Sequence, residues 1–367
     1  LGSTFVITSV AQQLQLFGTV AATAVNTAFT NINISGGGLD VDASSAQYLM
    51  MGGIAGMMLE GSSMTDCFMI GNVKASGGNE ENYIGGLAGN ADGSFIVNSS
   101  VSGNVEVSGG AGNEIGGLAG SARSIINSSV SGNVRAVSTS SGNRVSAGGL
   151  VGEIDGNNGS GSAVIRKSFS TGTVSAVNST TAEEIYAGGI AARTGRNAEI
   201  TDCYSTGNVS AEGGADRVRV GGIIGSATTT DGFITIARCY ASGNISAAGT
   251  ISQKHAGGIA GGAHVNSGSS STGSGSITGC AALCGSVTGG NNYRIEGGGA
   301  TTVFPRTNNI AYNGMLVNGY TVLGGTDANG ADKTISEIAE QVTYEALGWD
   351  FTDVWEMAGS PLRPVLQ

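Results

Sequence analysis

A chain of 367 residues would ordinarily divide into two or three globular domains, yet 65 of these residues are Gly, 3 are Pro and 12% are charged. A net charge of −11 and only four Lys (Lys74, Lys167, Lys254, Lys333) leave no basic stripe, which excludes nucleic acid and anionic membrane as natural partners. Regularly spaced apolar residues and a slightly positive mean hydropathy exclude the disorder that so much Gly would otherwise suggest. No apolar stretch approaches the length of a bilayer span. The chain starts at Leu1 with no charged or apolar leader, so it reads as processed or truncated, with any export signal outside it.

In chain order, residues 1–28 are expected to form a helical N-terminal cap. Within 9–26, Leu14, Phe17 and Val20 have helical spacing, and Ser9 is a plausible N-cap. Residues 29–36 (FTNINISG) look like a half-repeat leading into a repetitive region, 29–300. There a Gly-Gly-Leu/Ile-Ala-Gly pentapeptide or near copy begins at Gly52, Gly85, Gly116, Gly148, Gly188, Gly221 and Gly257, at intervals of 31 to 40 residues. A Gly-Asn-Val type tripeptide accompanies it at Gly71, Gly103, Gly132, Gly172, Gly207, Gly243 and Gly285. Self-similarity of this period means one structural unit stacked on copies of itself.

Alignment on the tripeptide exposes an inward face. Val73, Val105, Val134, Val174, Val209, Ile245 and Val287 share one position. Two residues on stand Ala75, Val107, Ala136, Ala176, Ala211, Ala247 and Gly289, with polar residues between. This period-two alternation is a strand with one buried face. A second apolar row is Met64, Ile96, Ile125, Ile165, Ile200, Ile236 and Ile277; the pentapeptides supply a third, from Ile54 to Ile259. Three short strands per repeat, joined at Gly-rich corners, predict a narrow parallel β-helix whose strands stack about 4.8 Å apart. Asn72, Asn104, Asn133, Asn208 and Asn244 should form a ladder of stacked amides at a tight corner, interrupted by Thr173 and Ser286. The paired Gly should sit where no Cβ fits.

Residues 301–367 are expected to close the other end, after a decayed repeat at Gly297–Gly299. Thr334-Ile-Ser-Glu337 is a capping box opening a helix to about Leu347. Trp349, Trp355 and all three Pro fall here, and a large aromatic plug suits an open coil end.

The GGLAG/GGIAG core, and units such as Ile200-Thr-Asp-Cys-Tyr-Ser-Thr-Gly-Asn-Val209, resemble the GLUG-motif repeats of bacterial surface and secreted proteins. The segment Tyr344-Glu-Ala-Leu-Gly-Trp-Asp-Phe351 with Val354-Trp355 is similar to the tail that often closes such arrays. The resemblance covers roughly residues 29 to 366. It implies an all-β, right-handed parallel β-helix of about seven to eight coils, exported or on the cell surface and adhesin-like. Similar repeats also accompany IgA-cleaving peptidases as passengers. No catalytic residues come with it.

Chemistry is sparse. A zinc cluster of His255, His264, Cys280 and Cys284 has weak spacing. Cys67, Cys203, Cys239 and Cys280 occupy a position filled by Ser99, Ser128 and Ser168 elsewhere, which points to buried small-residue packing; a bridge among Cys203, Cys239 and Cys280 is left open. Asp66 and Asp202 share a repeat position four repeats apart, too far for catalytic pairing. Asp40 with Asp42, and Asp327 with Asp332, suit weak calcium binding or, more simply, acidic turns. Charges gather in the segments leading into each pentapeptide (Glu80, Glu81, Glu114, Arg144, Glu183, Glu184, Asp216, Arg217, Arg219, Lys254, His255). Length varies at the opposite connection, at Gly152–Ser168 and Gly261–Ile277. No catalytic, cofactor or metal site is assigned. The expected function is a monomeric, non-enzymatic surface protein binding a glycan or matrix protein. A carbohydrate-active β-helix enzyme and a structural spacer are the alternatives.

Overall fold

A computed structural model describes residues 5–7, 27–43, 48–77, 80–141, 144–156, 161–180, 182–214, 216–250, 253–265, 272–298, 304–324 and 327–367. The helix expected over 9–26, with Ser9, Leu14, Phe17 and Val20, lies outside these residues.

One repeat explains the rest. Its strands are Gly112–Gly116, then Ala119–Ile126, then the short pair Ser129–Val130 and Val134–Ser138. They fall in three different sheets, here called first, second and third, and the third takes two strands per repeat rather than one. Each strand pairs in parallel with its counterparts one repeat earlier and later. Asn113 faces Asn82 and Val145, Ala119 faces Ala88 and Val151, and Val134 faces Val105 and Val174. The result is all-β: three parallel sheets curled around one interior. The aromatic rings of Phe169, Tyr204 and Tyr240 stack at 4.7 and 5.1 Å, so side chains record the inter-strand spacing directly.

The interior holds the apolar rows that the alignment exposed. Val73 through Val287 pair in register along the third sheet, as do Met64 through Ile277 along the second. Ile54, Leu87, Leu118, Leu150, Ile190, Ile223 and Ile259 are fully buried at the corner between the first two sheets. Each buried aliphatic side chain contributes about 1.5–3 kcal/mol, and the stack makes one continuous core.

Two corner details differ from expectation. The Asn row is a ladder, but its amides do not bond one another. Asn72 Oδ1 accepts the backbone N–H of Asn104 at 2.9 Å, Asn104 Oδ1 that of Asn133, and Asn208 Oδ1 that of Asn244. An amide carbonyl satisfies the corner N–H of the next rung better than it could a parallel copy of itself. The left-handed corner lies elsewhere, two residues after the Ile row. There Asn31, Asp66, Asn98, Asn127, Lys167, Asp202, Arg238 and Asn308 all have φ between 49 and 55°, and Gly279 has φ 62°. Asn and Asp favour this conformation. Lys167 and Arg238 adopt it because rungs on both sides impose it, and Arg238 is further held by Asp202 at 2.7 and 2.8 Å.

The decayed repeat also shifts. Its pentapeptide equivalent is Tyr293–Gly297, not Gly297–Gly299: Gly257 pairs with Tyr293, and Gly258 and Ile259 donate to the carbonyls of Arg294 and Ile295. Its Arg294 and Glu296 stand where earlier copies have Gly and an apolar residue (Ala, Val or Ile), and each is neutralised, by Asp332 and by Arg306.

The capping box forms, with Thr334 N donating to Glu337 Oε2 at 2.8 Å and Glu337 N to Thr334 Oγ1 at 3.3 Å. The helix behind it breaks at Glu340, whose backbone is extended, into a 3-10 turn Glu337–Ala339 and a short α-helix Gln341–Glu345. The two Trp do not plug the interior. They lie on the outer flank of the third sheet, where Trp349, Trp355, Tyr344 and Leu347 cover Tyr204, Tyr240, Ala281 and Ile310. Trp349 Nε1 donates to Gly279 O at 2.7 Å, and Lys167 Nζ reaches Asp353 O at 3.4 Å. The outward row at this position, Phe169-Tyr204-Tyr240-Ala281-Ile310, is apolar on successive rungs and needs a cover.

Candidate functional site

The pentapeptide builds more than a corner. Its first two Gly face neighbouring rungs: a Cβ on Gly117 would stand 2.4 Å from Gly149 O and 2.6 Å from a methyl of Val130. Its last Gly faces the other way. A Cβ on Gly120 would stand 2.6 Å from both Glu114 O and Ile84 N, and one on Gly225 would stand 2.8 Å from Ala187 O. The first and second sheets therefore fold against each other on their outer side, and the corner is re-entrant. The charged entry segment and the length-variable exit segment, expected on opposite edges, become facing walls of one cleft.

On the first wall the outward row runs Tyr83, Glu114, Ser146, Tyr186, Arg219, His255; on the second it runs Asn90, Ser121, Glu153, Arg193, Ser226. Between these walls lies a hollow of about 310 Å³, lined by Arg144, Glu153, Asp155, Glu184, Tyr186, residues 193–196, Arg217, Arg219, Ser226 and residues 228–230. Arg193 is the hub. Its guanidinium pairs with Glu114 at 3.1 Å and with Glu153, bridging the walls. Arg144 and Arg217 both pair with Glu184 at 2.9 Å. The Tyr186 ring lies between two cations, with Arg144 and Arg219 at 5.9 and 5.8 Å from its centroid. Burial and the carboxylate of Glu184 push its phenol up to about 12, outweighing Arg219.

Glu153 stands out. Burial pushes its carboxyl up to about 8 against the pull of Arg193, with Glu114 and Asp92 adding to the rise. A carboxyl raised above its ordinary value of 4.5 favours the fold most at low pH, and that contribution is lost as pH rises from about 4.5 through about 8. Glu153→Gln is therefore expected to flatten the stability profile across that window, removing a slope of at most about 1.4 kcal/mol per pH unit. Urea unfolding at several pH values measures it, and parallel profiles for the two proteins would refute the assignment.

The other candidates are dispersed. Cys67, Cys203, Cys239, Cys280 and Cys284 are all free and fully buried, their thiols donating to backbone carbonyls such as Thr65 O and Ala241 O. Burial pushes the thiols of Cys239 and Cys280 well up, leaving them inert. His255 and His264 face outward, His255 Nδ1 donating to Gly297 O at 3.1 Å, so thiols and imidazoles lie on opposite faces of the sheets and the weighed zinc set does not assemble. Asp40 and Asp42 pair with Lys74 and Ser76 within a strand, not a turn. Asp332 holds Arg294, and Asp327 lines a separate hollow beside Arg306 and Asn308. Asp66 and Asp202 occupy left-handed corners. Sequence reasoning missed the roles of Glu153, Tyr186 and Arg193, because the Gly content of the pentapeptide does not reveal that its corner folds outward.

Comparison with known proteins agrees with the repeat. Residues 184–210 match the family model described as the GLUG motif. The chain carries a GLUG motif. Those residues hold one whole first-sheet strand, the pentapeptide and the next tripeptide, including Tyr186 and Arg193. No curated protein sequence matches the chain. Among solved structures it is similar to a crystal structure of "a putative immunoglobulin A1 protease from Bacteroides ovatus", with a TM-score of 0.51 and 17% identity over 100% of this chain and 92% of that one. At that identity the likeness concerns the fold. Among the described residues, no helix is long and apolar enough to cross a membrane.

Proposed function

We propose that this chain is an exported bacterial surface protein, a right-handed β-helix of seven to eight coils that binds a glycan or matrix polymer in its re-entrant cleft and does not turn it over. One observation carries the reading: a trough of fixed, mutually oriented arginines, carboxylates and a tyrosine, whose lining spans successive rungs. Such a trough presents donors and acceptors at regular intervals, which suits a polymer of repeating polar units. Glu114 is held by Arg193, and burial keeps Glu153 protonated below about pH 8, so neither offers a free carboxylate base at neutral pH. The GLUG motif supports the surface setting, and the neighbouring structure supports the coiled fold.

A glycan-cleaving reading has one observation in its favour, the raised carboxyl of Glu153 beside Glu114. Glycan-array and cell-adhesion assays of the purified chain test the first reading, and silence across both removes it. A screen for new reducing ends or unsaturated products tests the second, and sustained turnover would replace the first.

A further inference from the structure

We infer that the cleft selects acidic sugars, and that Arg219 is the residue that recognises their carboxylate. The inference rests on the cleft being a glycan site and names the class of glycan it takes. Arg144, Arg193 and Arg217 each have a carboxylate partner on the cleft walls. Arg219 has none within ion-pair distance among the described residues. Its Nη1 donates to Ser226 Oγ at 2.8 Å and Thr228 Oγ1 at 3.1 Å, and its Nη2 lies 3.5 Å from His264 Nε2. All three partners are neutral groups when His264 is uncharged. Arg219 is only 8% exposed, and it lines the cleft rather than the core.

A buried guanidinium without an anion is costly, and an anion arriving from outside would offset that cost with charge-assisted hydrogen bonds. The chain makes room for it. Gly262, on the next rung, would bring a Cβ to 2.9 Å of the Arg219 side chain, so a larger residue there would displace the guanidinium. Tyr186 beneath it and Ser226 beside it hold its plane. The anion is best a single carboxylate. Glu184 stands nearby and would repel a doubly charged phosphate, while Glu184 and Glu153 can both exchange hydrogen bonds with sugar hydroxyls. A carboxylate-bearing sugar ring meets both demands at once. The surplus of cation is local, on a chain whose overall charge is −11.

The test is calorimetric titration of the full chain with oligogalacturonate, oligoguluronate and sialyl-lactose, each beside its methyl-esterified or carboxyl-reduced neutral form, and with a sulfated galactan oligomer. At least one carboxylated ligand is expected to bind ten-fold or more tighter than its neutral form and than the sulfated oligomer. Arg219→Gln should erase that preference while leaving the melting temperature equal or higher, since an uncompensated buried charge is removed. A merely structural arginine would instead lower it. Arg219→Lys should show an intermediate loss and serves if the Gln variant fails to fold; Arg135→Gln, on an exposed pair with Glu106 away from the cleft, should bind like the parent. Equal binding of acid and neutral forms, preference for sulfate, or an Arg219→Gln variant with undiminished preference each overturns the inference and leaves the glycan reading intact. No binding by any oligosaccharide removes both.

Discussion

Replacing Gly132 with Ala is expected to cost more than about 4 kcal/mol, enough to unfold the chain or leave it barely folded. The added Cβ would lie 1.9 Å from Gly103 O and 2.4 Å from its carbonyl carbon, on the rung before. Nothing there can yield as a side chain does. Asn133 N is bonded to Asn104 Oδ1 at 2.9 Å, and Val105 N and Val134 N are bonded to the carbonyls of Asn133 and Thr173 at 2.9 Å. Relieving the clash means parting rungs along the axis and breaking several such bonds together. The matching position at the far end gives the control. A Cβ on Gly285 would meet only Asn244 Oδ1, at 3.0 Å, the tip of a side chain that need shift only a few tenths of an ångström and can keep its bond from Ser286 N. Gly285→Ala should therefore cost less than about 1 kcal/mol. Urea unfolding of the two variants measures the contrast, and equal losses would show that rung-to-rung contact is not what excludes a side chain here.

That contrast marks what the sequence could and could not disclose. A stack of copies makes each position a column, so column chemistry is legible before any coordinates. The Val and Ile rows, the Cys/Ser row and the Gly columns all lie where alignment placed them. What alignment cannot reveal is the sense of each bend. A corner that turns around the core and one that folds outward have the same Gly content, because both need close backbone approach. Hence the walls carrying Arg144 and Asp155 read as opposite edges and prove to be neighbours across one cleft. The terminal segment misled for a related reason. Trp349 and Trp355 promised an apolar seal, but the sequence left two places to put it, the open end or the flank. The run from Phe169 through Tyr204 and Tyr240 to Ile310 was the deciding signal, an outward column that turns apolar on successive rungs. The left-handed corner was hidden because Lys167 and Arg238 stand in it, residues with no intrinsic liking for that conformation.

The cleft depends on Arg193 more than on any other side chain, and Arg193→Met tests this. Glu114 is 5% exposed, and its Oε1 accepts from Arg193; Glu153 opposite it is bound to the same guanidinium. A Met fills much of the space but leaves two buried carboxylates without their shared cation, a loss on the order of 3–5 kcal/mol near pH 8. Arg144, 3.7 Å from Glu114, recovers only a part, because Glu184 already holds it at 2.9 Å. The deficit has a required pH dependence. Burial already favours the protonated form of Glu153 up to about pH 8, and without Arg193 that preference strengthens, so above pH 8 the variant should go on losing stability after the parent has levelled off. Adding Glu153→Gln should recover part of the loss at pH 8 and little at pH 5, since the amide removes a charge already neutralised at low pH. If Arg193→Met were equally destabilising at pH 7 and pH 9.5, its cost would come from lost packing alone. The two walls would then be held together by the backbone contacts of Gly120, Gly152 and Gly225, with the ion pairs serving only to shape the cleft.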